Sequence, residues 1–296
     1  MLKEKLLRTF GFIHHHSLAQ KALFKSYLRF FDWQIQTFFN KGLIKKRFIG
    51  TVKFYAKKGL TGITGNIYTG LHEFEDMGFL LHFLRPEDTF FDIGANVGSY
   101  SLLASGYIGA KTLSFEPSPA TFNLLLKNIA LNSLETKIQP HQIALAKEIG
   151  KLNFTITHDT GNHIANHEDL NEQIVEVAVK PLDTFIGREP ILLKIDVEGF
   201  ETDVIKGGEK ILMSENLKAI IIELNGSGGR YGHDEKDIHA HLLSIGYLPY
   251  LYDPFKREFS LMNTFGSYNT IYIKDLPMVM NRCKNAEKVS ALGIYF

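Results

Sequence analysis

The stretch TFFDIGANVG, residues 89–98, constrains the fold of this chain more than any other segment. Thr89, Phe90, Phe91 and Ile93 suit a buried strand. Gly94 and Gly98 permit a sharp turn, and a helix is expected through Ser101, Leu102, Leu103 and Ala104. A strand that turns on glycines into a helix is a device for cradling a nucleotide, because the turn brings backbone N–H groups close to a ligand.

Two departures from the dinucleotide fingerprint narrow the ligand. Gly94, Asn96 and Gly98 give GxNxG in place of GxGxxG, and Asp92 stands two residues before the first glycine. A carboxylate there repels a diphosphate and favours a ligand carrying an ammonium and a sulfonium, such as S-adenosylmethionine. The alternative for this motif alone is that Asp92 caps the turn and the glycines serve only chain reversal. A second apolar strand, Thr112 to Glu116, bears on that choice. Glu116 follows Gly94 by 22 residues, close to the spacing of roughly 20 at which an acid meets ribose hydroxyls.

With these blocks in place the chain resembles a known family. DIGANVGSYSLL, then SFEPSPATFNLLLKNIALN, then LLKIDVEGFETDVIKGG are similar to the FkbM-type methyltransferases, S-adenosylmethionine-dependent O-methyltransferases, over about Gly65 to Ile273. The resemblance implies a Rossmann-like class I α/β fold, a mostly parallel seven-stranded sheet in the order 3-2-1-4-5-7-6 with helices on both faces. It also implies small-molecule acceptors, commonly sugar hydroxyls of glycans or natural products. Three parts are expected: a basic helical extension over 1–58, the methyltransferase domain over 59–274, and a tail over 275–296.

Charge separates the first part from the rest. Residues 1–58 hold 13 Lys or Arg against two acids, Glu4 and Asp32, which leaves 20 bases against 30 acids in the remainder. Phe24, Tyr27, Leu28, Phe31, Ile35 and Phe38 recur at helical spacing over 18–39, beside Lys21, Lys25 and Arg29. The first expectation is a helix docked on the catalytic domain through this aromatic stripe. The second is a helix lying on an anionic membrane surface. The His14–His16 run is expected to be solvated.

The single cysteine, Cys283, rules out an internal disulfide and fits a reducing compartment. No leader peptide is expected, because Arg8 and the histidine run follow Leu6 and Leu7 at once, and no apolar run is long enough to cross a bilayer. A cytoplasmic protein, or one peripheral to the inner face of a membrane, is therefore expected. No nucleic-acid reader motif accompanies the bases of Lys45 to Lys58.

Elsewhere the pattern gives a glycine-rich hairpin or loop over Gly59 to Gly70, a helix over Leu71 to Leu84, and a helix capped by Ser118. A third strand is expected over Lys137 to Ala144. Alternation at Leu152, Phe154, Ile156 and at Val175, Val177, Val179 reads as a hairpin around a polar segment that holds His158, Asp159, His163 and His167. A loop of that length can serve as a lid. A fourth strand, Ile191 to Asp196, is apolar except for Lys194; a fifth ends at Glu223; Asp234 caps the helix from Glu235 to Ser244.

The expected cofactor contacts are Asp92, Gly94, Ala95, Asn96 and Gly98 at the turn, Glu116 and Pro117 after the second strand, Gln142 and Ala144 after the third, and Asp196. Methyl transfer to a hydroxyl needs a base to take the proton. Asp196 or Glu198 is the first candidate, and His233 or His163 the second. In another version Asp196, Glu223 and Asn225 hold Mg²⁺, which prefers oxygen ligands. No Asn-Pro-Pro-Tyr or Asp-Pro-Pro-Tyr follows the fourth strand, which favours oxygen over nitrogen as acceptor. The competing readings are an NAD-linked oxidoreductase on the same fold and a non-catalytic scaffold working through its basic arm.

Overall fold

In the computed structural model, residues 2–157, 161–166, 169 and 172–296 are described. Strand Thr89–Ile93 is buried from Phe90 onward and pairs in parallel with Lys111–Phe115 on one side and Leu192–Ile195 on the other. Ile138–His141 extends the sheet beyond Lys111–Phe115, and Ala219–Glu223 extends it beyond Leu192–Ile195, both in parallel. Asn269–Ile273 then lies antiparallel to Ala219–Glu223 and to Leu248–Asp253. This is the 3-2-1-4-5-7-6 order. The sheet has eight strands rather than seven, because Glu258–Leu261 folds back antiparallel on Leu248–Asp253 at the edge.

Strand alternation divides the apolar residues between two cores. Phe90 and Leu192 face a core shared with helices Phe74–Phe83 and Leu276–Lys284 and with the residue 1–58 segment. Phe91, Leu193 and Ile220 face the other, with Val204 and Ile205 of helix Glu201–Lys206 and Ile238 and Leu242 of helix Glu235–Ser244. Covering both faces is what a mostly parallel sheet requires. A small third sheet, Ala144–Leu145, Ile174–Lys180 and Gly150–Thr155, carries the hairpin expected from the alternating valines.

Several expectations are corrected. The third strand stops at His141, and Ala144–Leu145 pairs in the small sheet instead. Gly59 to Gly70 is not a hairpin or loop but contains helix Thr61–Thr69. Its glycines serve packing: a Cβ on Gly65 would lie 2.0 Å from the ring of His72. Of the bases of Lys45 to Lys58, Lys45, Lys46, Arg47 and Lys53 lie on a hairpin, Ile44–Arg47 with Lys53–Ala56. His16 is buried, not solvated, and its Nε2 meets the His72 carbonyl at 3.1 Å. Ser118 stands at the start of helix Pro119–Leu131 without a capping side-chain bond, whereas Asp234 does cap its helix through the Lys236 N–H.

The aromatic helix is present as Leu23–Phe39 but faces the other way. It docks through Ser26, Phe30, Trp33 and Thr37, and the stripe of Phe24, Leu28, Phe31, Ile35 and Phe38 is exposed. Both faces carry aromatic side chains, and the spacing alone does not reveal that Phe30 and Trp33 are the ones buried in the core.

Candidate active site

The Gly94 turn is clamped between two neighbouring strand ends. Gly94 and Ala95 donate N–H bonds to the Phe115 carbonyl at 3.0 and 2.9 Å, and Asp196 donates to Ile93 at 3.0 Å. Gly94 adopts φ +80°, and a Cβ there would lie 1.7 Å from the Asp196 carbonyl oxygen. Only glycine fits. Asn96 follows with φ 49°, its side-chain oxygen accepting from the Val97 N–H at 2.7 Å. Helix Ser99–Ser101 starts there and continues as a π-helical segment over Leu102–Ile108.

Above this turn lies a cavity of about 320 Å³, within the range of roughly 300–1,000 Å³ usual for small-molecule sites. Asp92, Gly94, Ala95, Asn96, Glu116, Pro117, Ala144, Asp196 and Glu198 all line it. Glu73, Glu223 and Lys194 complete its charged wall, so six carboxylates face one ammonium. Gln142 is exposed and outside the lining, which Ile143, Ala144 and Leu145 supply. Gly98 lies behind the wall, where a Cβ would come within 2.6 Å of Leu125.

Each acid is held differently. Asp92 is buried, and its Oδ2 accepts from the Ser101 N–H at 2.9 Å and the Ser101 hydroxyl at 2.5 Å. Burial pushes its pKa up to about 6. Glu116 accepts from the N–H groups of Asn96 and Ser118 at 3.0 and 2.9 Å, and burial raises it to about 7. Both Glu116 oxygens keep lone pairs for further donors. Glu198 stands at φ 55°, a strained conformation of the kind that gathers at functional sites, on the turn before helix Glu201–Lys206. Burial, then the charges of Asp196 and Glu201, raise it to about 7. Glu201 fixes that turn, its Oε1 accepting from Val197 and Gly199 at 3.0 and 3.3 Å.

Lys194, a lone charge in an otherwise apolar strand, is the residue for which the sequence pattern predicts no role. It is fully buried beside Asp92 in the register, and its Nζ donates to Asp196 Oδ2 at 3.1 Å and Asn269 Oδ1 at 3.0 Å. Burial alone would lower its pKa, but Asp196, Glu73 and Glu223 outweigh that and hold it above its ordinary value. Asn269 in turn donates to Glu73 at 3.0 Å and Asp76 at 3.1 Å, and Tyr100 donates to Glu73 at 2.7 Å. Glu73, Asn269 and Tyr100 come from three distant segments, which no local motif connects.

The two candidate histidines do not line this cavity. His233 Nε2 meets Asp203 at 2.9 Å outside the cavity lining, and His163 is buried against the Gly161 carbonyl and Asp169. Asn162 and Ile164 of the same segment do border the cavity, while His158, Asp159 and His167 lie outside the described residues. Asn225 turns away to accept from the Ser227 N–H at 2.9 Å. The three acids that converge, with oxygens within 4.8 Å of one another, are Asp196, Glu198 and Glu223. Burial and then the charge of Asp196 raise the Glu223 carboxyl well above its ordinary value.

Residues 92–249 match the family model described as the methyltransferase FkbM domain. The chain is 34% identical over 148 residues to Methyltransferase 1 of Beauveria bassiana, a match covering 41% of this chain and 59% of that protein. It is 27% identical over 163 residues to the hexuronic acid methyltransferase AglP of Haloferax volcanii, covering 54% and 63%. It is 28% identical over 210 residues to the 31-O-demethyl-FK506 methyltransferase FkbM of Streptomyces tacrolimicus, covering 58% and 79%. The chain thus spans about six tenths of the length of the first two relatives. Among solved structures it is similar to methyltransferase FkbM from Methylobacillus flagellatus KT, with TM-score 0.45 and 17% identity, over 72% of this chain and 52% of that one.

Proposed function

Because the chain belongs to the FkbM methyltransferase family, we propose that the cavity binds S-adenosylmethionine and directs its methyl group to a hydroxyl oxygen of a small molecule or glycan. The observation that carries this reading is the gathering of six carboxylates and one compensated ammonium around a glycine turn too tight for any side chain. Such a rim attracts a sulfonium and an ammonium, and repels a diphosphate. When bound, the cofactor supplies an electrophilic methyl carbon. Glu116 would accept from its ribose hydroxyls, and Ile143 and Ala144 would give its adenine an apolar wall.

Glu198 is the base. It borders the cavity, and a carboxyl with a pKa of about 7 combines adequate basicity with a deprotonated population at neutral pH. With the cofactor bound, Glu198 would take the proton of the acceptor hydroxyl as that oxygen is methylated. Asp196 is held in place by Lys194, whose fixed charge steadies the acids without an added metal. We therefore expect EDTA to leave the activity unchanged, and loss of activity restored by Mg²⁺ would reverse this assignment. The hexuronic acid in the name of AglP supports a sugar as the acceptor.

Calorimetric titration separates this reading from an NAD-linked one. S-adenosylhomocysteine is expected to bind one to one and NADH not at all; the opposite pattern would overturn the proposal. Incubation with methyl-labelled cofactor and a panel of sugars, uronic acids and lipid-linked glycans then identifies the acceptor.

A further inference from the structure

Helix Leu23–Phe39 carries an apolar face that stays largely exposed among the described residues. Phe24, Leu28, Phe31, Ile35, Phe38 and Phe39 are each more than half exposed, and Phe24 and Phe39 reach 78% and 81%. The steps of four and three residues from Phe24 to Phe38 place the stripe on one side of the helix. The residues that dock the helix, Ser26, Phe30, Trp33 and Thr37, lie on the opposite side. Exposed patches of large apolar side chains on this scale mark interaction surfaces.

We propose that this face docks on the surface of an anionic lipid bilayer. The charge around it selects that occupant. Arg8, Lys25, Lys41, Lys45 and Arg47 are exposed in the same segment, and Lys41 Nζ lies 5.5 Å from the centre of the Phe38 ring. Of the two acids in residues 1–58, Asp32 is paired with Lys46 at 2.9 Å. Aromatic and aliphatic side chains flanked by bases are the composition of a helix that lies in the interface plane. No described helix is long and apolar enough to cross a membrane. A second copy of the chain fits less well, because a symmetric contact would set this positive field against itself.

The position of the helix gives the surface a use. Phe30 packs 5.2 Å from the ring of Tyr68, and Gln34 donates to the Tyr68 hydroxyl at 3.1 Å. Tyr68 belongs to helix Thr61–Thr69, whose Ile63 and Asn66 line the cavity. The cavity wall is thus one helix away from the docked face, which suits an acceptor presented at the lipid surface.

Sedimentation of the full chain with vesicles tests the proposal. Binding to phosphatidylcholine mixed with phosphatidylglycerol is expected to exceed binding to phosphatidylcholine alone by ~tenfold and to weaken as salt rises. Combining Phe24→Ser, Phe31→Ser and Phe38→Ser, or Lys25→Glu with Lys45→Glu, is expected to lower binding by ~tenfold without moving the thermal midpoint or S-adenosylhomocysteine affinity. Equal sedimentation with both vesicles, or variants that bind like the parent, would overturn it. So would a concentration-dependent dimer, formed without lipid and abolished by the phenylalanine substitutions, which would assign the face to a second copy. None of these readouts depends on methyl transfer, so the surface and the reaction fail separately.

Discussion

Glu198 and Asp92 are both acids raised by burial, yet they differ in what their protons do. Glu198 borders the cavity as the proposed base, so it must be deprotonated to act, and turnover should rise with pH through about 7. Glu198→Gln should lower kcat by roughly 10²–10⁴-fold and flatten that rise while leaving S-adenosylhomocysteine affinity unchanged; steady-state kinetics across pH, with calorimetry, checks both. Asp92 is locked to Ser101 beneath the turn, and its effect is on stability. Its pKa stands at about 6 against an ordinary 3.8, so the folded state holds a proton that the unfolded chain has already lost. The parent therefore loses this group's contribution to stability as pH rises from near 4 to near 6, a loss that Asp92→Asn lacks while sharing those of the other buried acids. The advantage of parent over variant should shrink by about 3 kcal/mol across that window. Urea unfolding of both proteins at pH 4 and pH 7 measures this, and a constant gap would refute it.

At the level of elements, the strand-to-helix turn of Gly94 is the joint on which the site depends. Gly94→Ala adds a left-handed penalty and drives a Cβ into the Asp196 carbonyl, so a loss of at least about 3 kcal/mol is expected. Gly226 has a similar φ of +90° but open space around it, so Gly226→Ala should cost only about 1–2 kcal/mol. Equal midpoints for the two variants in denaturant unfolding would refute the steric argument. This joint was legible because its signals are local: an apolar run, two glycines and an acid at fixed spacing. The strand order came from the family resemblance to DIGANVG, FEP and KIDVEG, and the parallel pairing confirms it. Helix Thr61–Thr69 was not legible, since Gly62, Gly65 and its β-branched residues favour a loop until the backbone packs closely on His72. The bonds that join Lys194, Asn269 and Tyr100 to Glu73 were equally hidden, because these residues meet only after residues 73 to 269 have folded.

For the molecule as a whole, the first 58 residues pack as part of the same folded body as the central sheet. Ile13, Leu18, Phe30, Trp33, Val52 and Phe54 are buried in the same core as Phe90 and Leu192 of the central sheet. Asn128 of helix Pro119–Leu131 and Asn132 at its end bind the backbone of the second hairpin strand, taking the Tyr55 and Lys53 N–H groups at 2.7 and 2.8 Å. The far terminus joins as well, with Phe296 against Phe74 at 5.0 Å between ring centres. Burying each large apolar side chain contributes about 1.5–3 kcal/mol, so six of them approach the entire stability of about 5–15 kcal/mol that a folded domain possesses. Deleting residues 1–58 removes those contributions and uncovers their partners at once. The shortened chain should therefore show no cooperative urea transition and should aggregate on size-exclusion chromatography. A truncated protein that unfolded cooperatively at the parent's midpoint would show that the extension is a separable appendage. The vesicle experiment is accordingly done on surface substitutions in the full chain, where loss of lipid binding can be told apart from loss of fold.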